Sequence, residues 1–280
     1  VKTAELPKDY KSGAFGFFDY ISISRVTESS VPPGKEQYEM KVIAINASPK
    51  MERGNTAEIL MPFLEGIEEA GAEVELFYTK NLQIHPCQAD LACWVNTPGT
   101  CYQKDDMEML LPKLADADIW VFATPVYVDG MPGPLKNLLD RAIPLVQPFF
   151  ELRDGHCRHP LREEVKHGKL VLVASCGFWE MDNFDPLLVH IRAMCRNMNR
   201  EFAGALLRPH GHALKRMLKK GEPVNDILDA ARLAGRQLIQ EGDMSIQTVA
   251  AVSRPLIPLD TLIQTTNQRL QEILAELEAK

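Results

Sequence analysis

The chain has 280 residues, 45% of them hydrophobic and 25% charged, with a formal net charge of -7. That is enough apolar side chain for a sizeable core, and an acidic balance without a basic run argues against a general nucleic-acid binder. No apolar run approaches the ~20 residues of a membrane span and the N-terminus lacks the apolar core of a signal peptide, so a cytoplasmic location is expected.

Residues 1–40 carry turn chemistry at Val31-Pro32-Pro33-Gly34 and little helical period, and read as an N-terminal arm. The first buried strand, Lys41 to Ala47, runs into Ser48-Pro49-Lys50-Met51-Glu52-Arg53-Gly54-Asn55-Thr56. That turn opens a helix from Ala57 to about Ala70, with Ile59, Leu60, Phe63, Leu64 and Ile67 at helical spacing. The free N–H groups at its start, with Ser48, Asn55 and Thr56 beside them, make an anion site. The alternative is that Asn55 or Thr56 is only a helix N-cap. A strand from Glu73 to Tyr78, a cysteine-bearing stretch and a helix from Asp106 to Ala115 follow.

The third strand, Asp118 to Thr124, ends in Pro125-Val126-Tyr127-Val128-Asp129-Gly130-Met131-Pro132-Gly133-Pro134 and leads into a helix from Pro134 to Val146. The long insertion Pro144 to Gly168, with Phe149 and Phe150, reads as a lid or wall near the site. Within it His156-Cys157-Arg158-His159 matches no zinc spacing. Strands from Lys169 to Ser175 and Phe202 to Leu207 flank a helix from Pro186 to Asn199. His210-Gly211-His212 reads as a surface turn, and Val224 to Gln240 as the last helix of a core domain spanning 41–244.

Residues 245–280 form a C-terminal helical extension, N-capped by Asp260, whose Leu262, Ile263, Leu270, Ile273, Leu274 and Leu277 make one apolar face. That face needs a surface to cover, and a second subunit in a homodimer or homotetramer is the expected one. The alternation of strands and helices predicts an α/β doubly wound parallel sheet, with the loops after the first and third strands gathered at its carboxyl edge, where ligands bind. No GxGxxG accompanies any strand, so no resident dinucleotide is expected.

The paired motifs SPKxxxGNT after the first strand and TPVYxxGMPGPLKNLLDR after the third resemble those of the flavodoxin-like NAD(P)H-dependent FMN reductases, and in particular their iron–sulfur flavoprotein branch. The resemblance covers about Met40 to Arg208. It implies a five-stranded sheet of order 2-1-3-4-5 and a bound FMN. Ser48, Lys50, Arg53, Gly54, Asn55 and Thr56 would hold the phosphate, with Lys50 where arginine is more frequent. Pro125, Val126, Tyr127 and Val128 would line the ring, with backbone N–H groups after Pro125 reaching its carbonyl edge, and Gly177 and Phe178 would add a third contact. NAD(P)H would visit as a transient co-substrate, and a small acceptor such as a quinone, nitroaromatic or free flavin would follow in a ping-pong scheme. No protein acid or base is assigned as catalytic. An electron carrier between protein partners is the alternative, and a flavin-free binding domain a third.

There are six cysteines: Cys87, Cys93, Cys101, Cys157, Cys176 and Cys195. The iron–sulfur flavoproteins carry CxxCxxC and a fourth cysteine between the second strand and the third helix; here Cys87, Cys93 and Cys101 occupy that region and Asp90 stands at the second ligand position. A carboxylate is a harder, weaker donor to iron than a thiolate, so a loop without a cluster is expected, with a labile cluster as the alternative.

Overall fold

A computed structural model describes residues 39–278. The N-terminal arm read at 1–40 therefore falls almost entirely outside the described residues. Five strands form one parallel sheet: β1 (Lys41–Asn46), β2 (Glu73–Tyr78), β3 (Ile119–Pro125), then, past a two-stranded hairpin of β4 (Glu151–Arg153) and β5 (His156–Arg158), β6 (Lys169–Ser175) and β7 (Glu201–Arg208). The sheet order is β2-β1-β3-β6-β7, which is the expected 2-1-3-4-5 once the hairpin is set aside. The three central strands β1, β3 and β6 are buried almost throughout, the mark of strands covered on both faces.

The helices in chain order are α1 (Ala57–Glu69), α2 (Ala92–Val95), α3 (Met107–Asp116), α4 (Gly133–Asp140), α5 (Asp185–Asn197), α6 (Gly211–Lys219), α7 (Asn225–Gln240), α8 (Ile246–Ser253) and α9 (Leu259–Glu278). They supply two core layers. One packs α3, α4 and α5 around Trp120, Phe122 and Leu172; the other packs α1, α7 and α8 around Val121, Val171 and Leu206. Gly66 and Gly235 let α1 and α7 meet backbone to backbone, since a Cβ on either would overlap a carbonyl of the other helix. At the amino end of the sheet the buried Arg200 lies 3.8 Å over the Trp120 ring and donates to the carbonyls of Leu114 (3.2 Å) and Ala117 (3.0 Å). Burial pushes its guanidinium down to about 10.

Several sequence expectations shift. The helix read from Pro134 to Val146 ends at Asp140, followed by a short 3-10 turn at Ile143–Leu145, because Pro144 has no N–H to continue it. Beyond β7, α6 was not foreseen, and α8 begins the stretch 245–280 read as a helical extension but packs into the core. Val249 and Val252 of α8 are buried in the second core layer, so the packed body continues past Met244. His210 is no surface turn. It is 1% exposed, its Nε2 accepts the Leu256 N–H (3.0 Å) and faces Arg208 (3.2 Å), and its ring stacks on Trp179. Arg208 donates to the carbonyls of Val252 and Arg254, so this cluster fastens the chain leaving α8 to the end of β7.

Beyond Pro258 the helix α9 has no buried residue, and Ile263, Leu270, Ile273, Leu274 and Leu277 are all exposed. Asp260 sits in its first turn rather than at the cap. This helix therefore does not pack on the described part of its own domain. No described helix is long and apolar enough to cross a membrane.

Candidate functional site

The loops after β1, β3 and β6 converge on a cavity of about 570 Å³ at the carboxyl edge of the sheet. Ser48, Lys50, Gly54, Asn55 and Thr56 line it from the first loop, Pro125, Val126, Tyr127 and Val128 from the second, and Gly177 and Phe178 from the third. Of the residues expected at the site only Arg53 is elsewhere. It is exposed in the short turn Met51–Arg53, where its carbonyl accepts from Lys215 Nζ (2.5 Å).

The first loop folds tightly on itself. Ser48 N–H donates to Asn46 Oδ1 (2.9 Å), Ser48 Oγ accepts from Lys50 N–H (3.3 Å), and Met51 N–H returns to the Ser48 carbonyl (2.9 Å). Gly54 is extended, so its backbone does not demand glycine. Space does: a Cβ there would collide with Ser48 Oγ and lie 3.2 Å from both Ser48 Cβ and the Met51 carbonyl. Thr56 occupies the N-cap position of α1 without a side-chain cap bond; its hydroxyl instead pairs with Ser175 Oγ at 2.7 Å, both residues buried. The simple N-cap reading of Asn55 and Thr56 is thus not realised. Among the described residues no hydrogen bond engages the N–H groups of Asn55 and Thr56, which leaves them available to an anion at the start of the helix.

The second loop corrects one expectation. The N–H groups after Pro125 are not all free: Val126 N–H donates to the Ser175 carbonyl (2.8 Å) and Tyr127 N–H to the Gly130 carbonyl (2.9 Å). Val128 and Asp129 form the corners of that turn, with φ of 46° and 61°, and among the described residues their N–H groups have no partner. Positive φ is rare for a β-branched residue, and Val128 is 99% exposed, so the rim of the cavity holds backbone strain with a bare N–H beside it.

Asp129, Ser175, Cys176, Asn183 and His212 line the cavity too and were not anticipated. Ser175 and Cys176 adjoin Gly177 at a strand end and were legible there; Asn183 and His212 come from distant segments and carry no motif. The Cys176 thiol is buried and accepts the Phe178 N–H (3.3 Å); burial pushes it up. His212 lies within electrostatic reach of Lys50.

The insertion Pro144 to Gly168 contributes no residue to this cavity. It packs on the cysteine loop instead: Trp94 Nε1 donates to the Val146 carbonyl (3.0 Å), and His159 sits between the rings of Trp94 (4.7 Å) and Phe150 (5.1 Å). Beneath that loop the buried pair Arg141–Asp105 is bidentate, at 2.7 and 3.1 Å, and Arg141 also donates to the His85 carbonyl. Cys87, Cys93 and Cys101 are close enough to interact, and burial followed by the neighbouring Cys101, Cys87 and Asp90 pushes the Cys93 thiol up. Asp90 Oδ1 accepts the Ala92 N–H (2.7 Å), a local turn bond. Among the described residues no three His, Cys, Asp or Glu side chains are grouped to hold a metal.

A flavodoxin-like sheet with an anion-ready helix start and an apolar-rimmed cavity at its carboxyl edge defines a class of mononucleotide-binding proteins. The sequence profile of the NADPH-dependent FMN reductase family matches residues 40–195, and the chain belongs to that family. An iron–sulfur flavoprotein of Archaeoglobus fulgidus is 38% identical over 103 residues, which are 37% of this chain and 49% of the relative. Another, from Methanocaldococcus jannaschii, is 36% identical over 115 residues, 41% of this chain and 58% of the relative. The chain thus spans about half the length of the curated relatives it matches. Among solved structures, an NAD(P)H:quinone oxidoreductase from Methanothermobacter marburgensis superposes with a TM-score of 0.53 at 20% identity, covering 72% of this chain and 96% of that one. An FMN-dependent NADH-azoreductase from Bacillus anthracis in complex with FMN gives 0.52 at 15% identity, covering 72% and 100%. At such identities the likeness establishes the fold.

Proposed function

We propose that this protein is an FMN-dependent oxidoreductase that draws a hydride from NAD(P)H and passes the electrons to a small acceptor of the quinone, nitroaromatic or flavin class. The observation that carries it is the convergence of three strand-end loops on a cavity with unengaged N–H groups and a cation at the β1–α1 side. The residues present fit the cofactor: Ser48, Lys50, Gly54, Asn55 and Thr56 would hold the phosphate, and Pro125, Val126, Tyr127, Val128, Gly177 and Phe178 would border the ring. When bound, FMN supplies the two-electron chemistry that side chains lack. The chain's own part is to bind, orient and leave one side open. Tyr127 and Phe178 are 49% and 67% exposed at the mouth, where a nicotinamide and then an acceptor would stack in turn, giving ping-pong kinetics. The bare N–H groups of Val128 and Asp129 replace those of Val126 and Tyr127 as donors to a polar ring edge. The exposed stripe of α9 would join subunits of a homo-oligomer, and the setting would be cytoplasmic.

The relatives' name, iron–sulfur flavoprotein, supports equally a second reading, an electron carrier that exchanges electrons with protein partners. The two separate in one experiment. In the first reading the purified protein is yellow with stoichiometric FMN, anaerobic mixing with NADPH or NADH bleaches the flavin absorbance, and added quinone gives parallel-line kinetics. Reduction by a ferredoxin-like donor but by neither nucleotide, together with iron in the protein, would establish the carrier. Colourless protein that cannot be reconstituted with FMN would end both.

A further inference from the structure

His212 belongs to the cavity wall but to none of the loop motifs. It stands in the first turn of α6, and α6 is fastened to the β1–α1 loop. Gly211 N–H donates to the Cys176 carbonyl (2.9 Å), and Lys215 Nζ reaches the Arg53 carbonyl (2.5 Å) and Glu58 Oε1 (2.9 Å). The approach is close: a Cβ on Gly211 would lie 3.3 Å from Asn55 Cβ and 3.4 Å from Ser175 Cβ. The first turn of α6 therefore abuts the loop that carries Lys50, Asn55 and Thr56, and His212 opens onto the same cavity. Building on the FMN reading, we propose that His212 is a second, proton-coupled ligand of the cofactor phosphate, bound as imidazolium and making flavin retention dependent on pH.

The charged groups around it are few. Lys50 faces it from the β1–α1 loop, Arg216 lies one turn on along α6, and Lys215 is paired with Glu58 of α1. Of the other residues that line the same cavity, Asn55, Ser175 and Asn183 are uncharged, Cys176 is a buried thiol, and Asp129 is an exposed carboxylate on the rim. Burial first, then Lys50 and Arg216, hold the free imidazole below its ordinary value of 6.5, so without ligand it is neutral at pH 7. A phosphate dianion reverses the sign of the local field and favours the charged form. Binding therefore takes up a proton at any pH between the free and bound values. Affinity falls as pH rises through the bound value and is flat above it. Riboflavin, which lacks the phosphate, has no such term.

The test strips flavin from the full-length protein and titrates FMN and riboflavin by fluorescence quenching from about pH 5 to 8, the range across which histidine changes charge. Proton uptake is read by calorimetry in two buffers of different ionisation heat. Wild type is expected to lose roughly tenfold in FMN affinity across the range, as for a charge-assisted hydrogen bond, with riboflavin unaffected. His212→Gln should remove the slope and the proton uptake, and His212→Lys should restore affinity without the slope. FMN binding to His212→Gln with the wild-type slope and uptake would overturn the role of His212 alone. If wild type bound neither flavin, the cofactor reading itself would fall.

Discussion

Replacing Gly54 by alanine isolates the tightest contact in the proposed phosphate loop. Gly54 has φ -78° and ψ 159°, which alanine adopts without strain, so any effect comes from space and not from backbone conformation. The new methyl collides with Ser48 Oγ and presses on Ser48 Cβ and the Met51 carbonyl, each 3.2 Å away. The Ser48 hydroxyl can rotate, which loses its bond from Lys50 N–H (3.3 Å), at about 1 kcal/mol for a neutral hydrogen bond. The remaining contacts force the turn to shift, which misaims the hydroxyl and N–H groups offered to the phosphate. Loss of one charge-assisted bond of about 1.5–3 kcal/mol predicts FMN affinity down by roughly 10- to 100-fold. Global stability should fall by only about 1 kcal/mol. Fluorescence titration of FMN and riboflavin, with urea unfolding of the flavin-free protein, separates these terms. Wild-type FMN affinity in Gly54→Ala would refute the assignment of this loop to phosphate, and equal losses for FMN and riboflavin would show a general distortion of the cavity instead.

Two further outcomes follow from the cysteine loop and the tail. Burial alone would push Asp105 up, but hydrogen bonds from Arg141 and from the His85 and Met107 N–H groups outweigh it and hold the carboxyl at about 2. Its folded value is depressed below the ordinary ~3.9, so its stabilisation is full above about pH 4 and is lost as pH falls through the folded value. Asp105→Asn should cost about 3–5 kcal/mol near neutral pH, because it leaves Arg141 buried and unpaired. The gap from wild type in urea unfolding should narrow between about pH 4 and pH 2; a constant gap would contradict the ion-pair account. Deletion of residues 259–280, which spares the packed α8, should leave a folded protein of smaller assembly by light scattering. Five exposed Leu and Ile side chains at roughly 1.5–3 kcal/mol each are at stake, and a monomeric full-length chain at micromolar concentration would remove the case for a partner.

The parallel strands were the most legible part of the fold. Lys169–Ser175 matches residue for residue because a strand covered on both faces is a short apolar run with polar punctuation at each end, and Glu73–Tyr78, an edge strand with no buried residue, matches through its alternation of glutamate with apolar residues. Of the four described helices after β7, α6 and α8 were not legible as separate helices, for different reasons. α6 is nine residues long, begins at a glycine behind a left-handed His210 and buries only Gly211, Ala213 and Leu214, which is too little periodicity to stand out from a turn. α8 is eight residues with a Ser245 cap whose Oγ accepts the Thr248 N–H (3.2 Å), but its apolar residues suit a core helix and a linker about equally until the partner surface is known.

The site divides along the same line. Contiguous motifs delivered eleven of the cavity residues because each strand-end loop is local: the strand fixes where it starts and the helix fixes where its N–H groups point. What a motif cannot carry is which of those groups the fold itself consumes. Thr56 offers a hydroxyl in sequence, yet Ser175, 119 residues away, engages it. The Val126 N–H goes to the carbonyl of that same Ser175, so the end of β6 ties the first loop to the second and sets which donors stay free for a ligand. Among the described residues, the free donors at the cavity include the N–H groups of Asn55 and Thr56 at the helix start and of Val128 and Asp129 at the strained rim. A ligand that reaches both places needs an acceptor at each end, and an anionic acceptor suits the helix start. That requirement arises from tertiary hydrogen bonding, and a molecule with a phosphate at one end and carbonyl oxygens at the other meets it.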